Sequence, residues 1–504
     1  MYNYGFPEDA DLRGQYGDPL VPKGKNSIEI NPRYFAAKIV KRYGLIHFSR
    51  GGWFEWSPNG WVPVRESPLQ SRIADLLQEE LRATFRTQQR AAQHSHSPAA
   101  TFNGAPIFLG SAPPSSPAYD LINTRNIVEI LRTMKYMCDR GDNLPPLDPD
   151  VIPVQNGLLR FNAEIQDFEF RGYTQDDMIF HTLDVVYVPE AKSALFDKTL
   201  SEIVPEPEDR RVSQEYLGSI LFPENRTKKF MTFTGTSNSG KSALLGAVVE
   251  IMTSKRIFDL DLKTLAGDYG LSALTSQTLI TIFEAGKDAF CNPFVIEFIK
   301  KATGRDRFKT NRKNSNEQVE HVGLYSILFT SNYNQRFEFE GDGGEFANRL
   351  LPILFTKPIE NPDLTLGDRL SSDHRSAIFN WLLDGARRVR RNNWEISLSP
   401  AQTLRRDRLI QATRGVDLFV KNFIVAAPLQ NITSEDAFSA YNHLHYAAGF
   451  EYLDRSAFFK RFSKAMAAKF GESDCKNLKG PDGKYNVRGY KNVAFVNSPL
   501  PKNK

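Results

Sequence analysis

Gly235-Thr236-Ser237-Asn238-Ser239-Gly240-Lys241-Ser242 follows the apolar stretch KKFMTFT and precedes ALLGAVVEIM. The order is strand, glycine loop, helix, which is the setting that makes G-x-x-x-x-G-K-[ST] a phosphate-binding loop rather than a chance Gly-Ser turn. Gly235 and Gly240 let the backbone curl so that successive N–H groups face one anion. The helix that follows adds the positive end of its dipole. Lys241 sets an ammonium against the β- and γ-phosphates, and Ser242 offers a hydroxyl to Mg²⁺. The loop therefore predicts ATP and Mg²⁺ as cofactors, held by all eight residues from Gly235 to Ser242.

Working outward, the apolar run Leu279-Ile280-Thr281-Ile282-Phe283 ends in Glu284 and reads as a buried parallel strand with a carboxylate at its tip. Such a group can hold a metal's water shell or polarise an attacking water. The competing reading is a surface carboxylate at a strand end. A second run, LYSILFT, is followed by Ser331-Asn332, and the Asn332 amide could orient the attacking water. Arg349, in FANRLLPILF, is either a fixed charge that reaches the nucleotide of a neighbouring subunit or a solvated arginine beside an apolar strand.

The chain has 504 residues, 41% hydrophobic and 24% charged, the composition of ordinary globular domains. Its length predicts roughly three domains of about 150 residues. No stretch of about 18 apolar residues occurs, so no membrane span is expected. The N-terminus MYNYGFPEDADL lacks the basic start and apolar core of a signal peptide. Cys138, Cys291 and Cys475 are far apart, which argues against structural zinc and a disulfide framework, and a cytoplasmic setting is expected. The formal net charge of +5 tolerates nucleic-acid binding without demanding it.

Residues 1–30 are Gly-, Pro- and Asp-rich and read as a flexible arm. Residues 31–150 read as a small α+β domain. Its first helix opens at Asn31-Pro32, and aromatic alternation in LIHFSRGGWFEWSPNGWVPV predicts a small antiparallel sheet. Trp53, Trp56 and Trp61 there are either that sheet's core or a stacking surface for bases. A helix is expected at about 67–87, then a loop rich in Ala, Ser and Gln. VIPVQNGLLRF predicts a strand pair turning at Asn156-Gly157. The nucleotide-binding core is expected over 225–392. It is followed by the basic run ARRVRRNN, which either solvates a helix end or meets DNA. Residues 410–504 read as two helices and a Gly-Lys-rich hairpin, a winged-helix-like pattern.

The ordered set of phosphate loop, LITIFE, FIKKATGRDRF, LFTSNYNQRF and GDGGEFANRLLPILF resembles the superfamily 3 helicases, in particular the poxvirus D5-like and phage or plasmid primase-helicase branch. That family's K-x-x-T-G-G-D segment matches Lys300-Lys301-Ala302-Thr303-Gly304-Arg305-Asp306, its sensor asparagine matches Asn332, and its arginine finger matches Arg349. VIPVQNGLLRF and the residues to about 200 resemble the family's helicase-associated region, 151–224. The resemblance implies an α/β fold with a three-layer P-loop AAA+ core, a hexameric ring, and 3′ to 5′ movement on single-stranded DNA during phage, viral or mobile-element replication. The implied catalytic set is Lys241, Glu284, Asn332 and Arg349, with Ser242 and Glu284 at the metal.

The sequence departs from the family at Arg305, which stands where a glycine is usual, at Asn348, where a second arginine is usual, and at Phe283, where some relatives carry a second acid. No acidic pair in residues 1–150 sits in a primase setting, so a separate primase, polymerase or origin-binding protein is the expected partner. By the resemblance, a hairpin before the sensor strand faces the ring channel, which makes Lys309, Arg312 and Lys313 the candidate DNA-binding residues. The alternative is a solvated hairpin. Arg455, Lys460, Arg461, Lys464, Lys484, Arg488 and Lys491 would suit duplex or forked DNA, unless the C-terminal unit docks protein instead. The competing functions are a packaging motor, a loading factor, and an origin-binding or scaffold ATPase without processive unwinding.

Overall fold

The computed structural model describes residues 9–23, 27–94, 101–102, 105–106, 121–142, 144–265, 270–271, 273–274, 277–311, 318–337, 343–360, 363, 365–413, 415–448, 450, 452–471, 476–479 and 485–496. The chain is a mixed α/β protein of two compact units: Met1–Leu159 with Phe170–Thr182, and Arg160–Glu169 with Leu183–Lys504.

In the first unit, part of the expected arm is ordered structure. Helix α1 (Asp9–Tyr16) and the hairpin of β1 (Leu20–Lys23) and β2 (Ser27–Ile30) fall within it. Leu12 and Ile30 are buried in one core with Tyr34 and Phe35, so apolar burial overrides the turn-rich composition. Helix α2 (Pro32–Tyr43) starts where expected. The Asn31 side chain accepts from the N–H groups of Arg33 and Tyr34, Pro32 opens the first turn, and Gly44 closes the helix in the left-handed region. Strands β3 (Leu45–Phe48), β4 (Gly52–Ser57) and β5 (Gly60–Val64) form the expected antiparallel sheet. Trp53 and Trp61 are buried, and Trp56 meets Trp61 edge-on at 5.4 Å. The three tryptophans thus build the sheet's core rather than a stacking surface.

Helix α3 (Glu66–His94) runs beyond the expected 67–87, because no Gly or Pro follows Pro68 and the added residues are mostly good helix formers. Then come β6 (Thr101–Phe102), β7 (Ala105–Pro106), α4 (Thr124–Cys138), β8 (Val151–Val154), β9 (Gly157–Asn162) and β10 (Asp167–Arg171). β8 and β9 flank the turn expected at Asn156.

The second unit opens with α5 (Ala194–Ile203) and α6 (Pro207–Ser219). It continues through β11 (Phe230–Gly235), α7 (Lys241–Met252), β12 (Ile257–Asp259), β13 (Leu279–Ile282) and α8 (Pro293–Gly304). The hairpin β14 (Arg307–Asn311) and β15 (Gln318–Val322) precedes β16 (Ser326–Ser331), α9 (Gly344–Arg349), β17 (Leu350–Phe355), α10 (Leu366–Asp373), α11 (Arg375–Arg391) and α12 (Pro400–Thr413). Five strands form a parallel sheet in the order β12-β13-β16-β11-β17. Their near-continuous apolar runs follow from burial on both faces. Phe230, Ile280, Ile282, Ile327 and Phe329 pack with Val295, Phe298 and Ile299 of α8 and Phe346 of α9. On α6, the Tyr216 hydroxyl bonds both backbone groups of Ile327 at 2.9 Å. Helices α6 and α11 cross at two glycines: a Cβ on Gly218 would lie 2.3 Å from Ala386 N, and one on Gly385 would lie 1.8 Å from Gln214 O.

The chain ends in α13 (Gly415–Phe423), β18 (Ile424–Thr433), α14 (Ser434–Ala448), α15 (Arg455–Phe470), β19 (Lys476–Lys479) and β20 (Tyr485–Phe495). β20 lies between β18 and β19 in an antiparallel sheet, over a core that includes Phe419, Tyr441, Phe458 and Phe462.

Candidate nucleotide site

The loop after β11 has the strand and helix that its sequence predicts on either side. Gly235 has φ 142° and Gly240 φ 84°, and both also stand where no side chain fits. A Cβ at Gly235 would be 2.0 Å from Phe355 O, and one at Gly240 would be 2.4 Å from Ile203 Cγ2. Asn238 is also left-handed, at φ 57°, and its carbonyl accepts from Ile359 N at 2.8 Å. Thr236 N donates to Phe355 O at 3.1 Å. The loop is therefore fixed by backbone contacts to β17 and the segment after it. Helix α7 begins at Lys241, so its unpaired first-turn N–H groups open at the loop.

Lys241 is buried and points back along the loop. Its ammonium donates to Gly235 O at 3.1 Å, Thr236 O at 2.6 Å and Ser239 Oγ at 3.0 Å. Burial pushes its pKa below the ordinary lysine value, because a desolvated ammonium is disfavoured without a counter-charge. All three of these oxygens are neutral.

The sheet register brings three sequence-predicted groups to one edge. Thr234 pairs with Ser331, and Ile282 with Phe329, so β11 and β16 end nearly level and β13 ends two residues short, which brings Glu284 to the height of Ser331. Asn332 follows β16, next to the loop strand, and is exposed. Glu284 lies past the end of β13, one strand further away. It is exposed and left-handed at φ 52°, and its N–H donates to Thr330 Oγ1 at 3.2 Å. Ser331 Oγ donates to Ala285 O at 2.7 Å, which ties the two strand tips together. Ser242 and Glu284 supply hard oxygen donors of the kind Mg²⁺ accepts alongside phosphate oxygens and water.

Arg349 lies at the other edge. It directly precedes β17, whose Leu350 pairs with Phe230 while Phe355 pairs with Gly235. Six residue steps at about 3.3 Å each separate it from the loop edge by about 20 Å. Its guanidinium is engaged: it donates to Lys300 O at 2.7 Å, Thr303 Oγ1 at 3.0 Å and Glu345 Oε1 at 2.7 Å. Its side chain is 14% exposed, so it is not the solvated arginine of the simpler reading. It clamps the end of α8 to α9. Arg305, at the same corner, is exposed and left-handed at φ 68°.

Lys309 is exposed on β14 of the hairpin that precedes β16, while Arg312 and Lys313 lie outside the described residues. The inward face of the hairpin is anchored by a buried chain in which His321 meets Thr310 Oγ1 at 2.9 Å and Tyr325 OH at 3.0 Å. Phe308 stacks on the His321 ring at 5.2 Å. Burial lowers the His321 pKa. The sequence gives no sign of this buried chain, because His321 follows a polar run.

A cavity of about 510 Å³, which no motif in the sequence signals, lies beside the loop. Asn238, Gly240, Ser242 and Ala243 border it, α5 contributes Leu195, Thr199 and Ile203, and Ile359 and Leu366 close the far side. The basic run of α11 turns inward. Arg387 pairs with Asp167, Arg388 with Glu215 and Gln214, and Arg390 lies over the rings of Phe161 and Trp394. That engagement favours packing over contact with DNA.

Residues 35–205 match the family described as D5 N terminal like. The match includes the first sheet and α5 and stops short of the phosphate loop. It reaches well upstream of the stretch whose sequence resembled that family. Among solved structures, the chain is similar to the apo C-terminal region of NrS-1. One such structure has 12% identity and a TM-score of 0.41, with 91% of this chain and 98% of that chain covered. A second, the A form, has 14% identity and a TM-score of 0.36, covering 58% of this chain and 66% of that chain. No curated protein matches the chain significantly.

Proposed function

We propose that this protein is an ATP-driven DNA helicase of superfamily 3, working in phage, viral or mobile-element replication. The observation that carries the reading is the shared sheet edge. There the loop holding Lys241 and Ser242, the Asn332 amide and the Glu284 carboxylate stand at the ends of adjacent parallel strands. The five-stranded sheet with helices on both faces is read as an AAA+ core, and the three-helix, three-strand C-terminal part as a winged helix.

In this reading the loop N–H groups and Lys241 bind the β- and γ-phosphates, and the α5 cavity takes the base and sugar. Mg²⁺, held by Ser242 and the water shell facing Glu284, would neutralise charge on the transferring phosphoryl group. Glu284 accepts a proton from the attacking water, which Asn332 orients. Arg349 lies too far from its own loop to serve it. Completion by a neighbouring subunit's arginine therefore calls for a ring, taken as hexameric from the family. The β14–β15 hairpin, with Lys309, carries the strand.

The experiment is unwinding of forked DNA bearing a 3′ or a 5′ tail. Unwinding that requires ATP and the 3′ tail supports the proposal. ATP hydrolysis with no strand separation on either fork contradicts it and favours an origin-binding or loading ATPase.

A further inference from the structure

Leu429 is an apolar side chain that is 95% exposed, on a left-handed backbone at φ 70°. Branched L-residues avoid that conformation. β18 pairs with β20 through Ala426 opposite Val493, then again from Asn431 opposite Lys491. Between these points Ala427-Pro428-Leu429-Gln430 bulges out against Asn492 alone. Asn492 is left-handed too, at φ 57°, and its Oδ1 accepts from Leu429 N at 3.2 Å. The tip is thus propped from the facing strand. An exposed leucine gains nothing from burial, so packing does not explain a strained conformation kept there.

The strands around the bulge and helix α15 carry one sign of charge, and the nearest acids, Glu435 and Asp436, open α14. β18, β19, β20 and α15 contain no Asp or Glu, while α15 alone reads RSAFFKRFSKAMAAKF. Some of these cations are internally committed: Lys469 donates to Val420 O, Lys421 O and Ile424 O, and Arg455 pairs with Glu435. Lys460, Arg488 and Lys491 are exposed and make no ion pair among the described residues. Lys491 stands at the foot of the bulge, beside Asn492.

We propose that this sheet binds DNA where duplex meets single strand, with Pro428 and Leu429 entering the base stack as an apolar wedge. Leucine and proline serve as such wedges where proteins unstack a base step. Lys491, Arg488 and Lys460 hold the flanking phosphates, and the acid-free strands suit that polyanion. The inference rests on the reading that the chain acts on DNA and is independent of ATP hydrolysis.

The test uses the full chain without nucleotide and a forked oligonucleotide carrying 2-aminopurine at its first base pair. Wild type brightens the probe. Leu429→Ser, at an exposed position, binds the fork within about threefold of wild type but leaves the probe dark. Arg488→Glu with Lys491→Glu weakens binding about tenfold or more at low salt and flattens the salt dependence. The inference is overturned if wild type binds the fork without brightening, or if Leu429→Ser brightens it equally. It is also overturned if Leu429→Ser changes only the oligomeric state by light scattering, which would make the tip a protein contact. A chain that binds no DNA sinks both this inference and the helicase reading. Brightening without ATP hydrolysis sinks the helicase reading alone.

Discussion

The ammonium of Lys241 lies 2.6 Å from the carbonyl oxygen of Thr236, so the loop lysine is folded onto the rim of its own loop. The same ammonium reaches Gly235 O and Ser239 Oγ. These neutral oxygens keep a desolvated cation satisfied until a phosphate offers a stronger, charge-assisted bond. In the proposed function, binding of a nucleotide would be an exchange of partners by Lys241 within a loop whose backbone is already shaped.

That backbone shape makes Gly240 a sharp test. Gly240→Ala must carry a left-handed φ of 84° and a contact at 2.4 Å with Ile203. The backbone term alone costs about 1–2 kcal/mol. Because the clash falls on α5, the substitution should also distort the cavity. Nucleotide affinity, read with a fluorescent ATP analogue, falls by about tenfold or more, since every 1.4 kcal/mol is tenfold. A variant that binds as tightly as wild type would show that the loop does not need this geometry.

Arg349 has two separable roles. Truncation to Ala removes its bonds to Lys300 O, Thr303 Oγ1 and Glu345, which should lower stability by about 2 kcal/mol. If Arg349 also completes a neighbour's site, Arg349→Ala chains mixed into wild type depress hydrolysis more steeply than their share of the mixture. A loss that tracks the wild-type fraction linearly leaves Arg349 as a clamp on α8, and Arg305 becomes the exposed cation to test at that corner.

The His321 anchor predicts a pH dependence whose sign is fixed. Its folded pKa is lowered by burial, so the unfolded chain binds more protons near the ordinary histidine value of about 6.5. The stability it contributes is present above that value and is lost as pH falls through it toward the lowered folded pKa. The protection factors of the β14 and β15 amides, with the intrinsic pH dependence of exchange divided out, should fall as pH is lowered from about 7.5 to 5.5, and His321→Gln should remove most of that dependence. Protection factors that are flat over this range would show that the histidine does not govern the hairpin.

Much of this was legible in the sequence because it is local. The phosphate loop needs only its glycines and flanks, and Glu284 and Asn332 each end a short apolar run that reads as a buried strand. Asn31-Pro32 and Gly44 mark a helix through capping chemistry alone. What could not be read depends on contacts distant in the chain. Nothing in residues 194–203 says that Ile203 will pack on Gly240. Nothing around Arg349 says that α8 will present Lys300 O and Thr303 Oγ1 to it. Leu12 and Ile30 look like stray apolar residues in a turn-rich arm until α2 provides a core for them.

The central claim is that the Lys241 loop powers work on DNA. The most direct measurement is steady-state ATP hydrolysis with and without single-stranded DNA, by wild type and by Lys241→Ala, with melting temperatures recorded for both. The account predicts hydrolysis by wild type that single-stranded DNA accelerates, and a loss of at least about 100-fold in the variant, equivalent to about 2.7 kcal/mol of transition-state stabilisation. Equal hydrolysis by a folded Lys241→Ala chain, or no hydrolysis by wild type with DNA present, would contradict it.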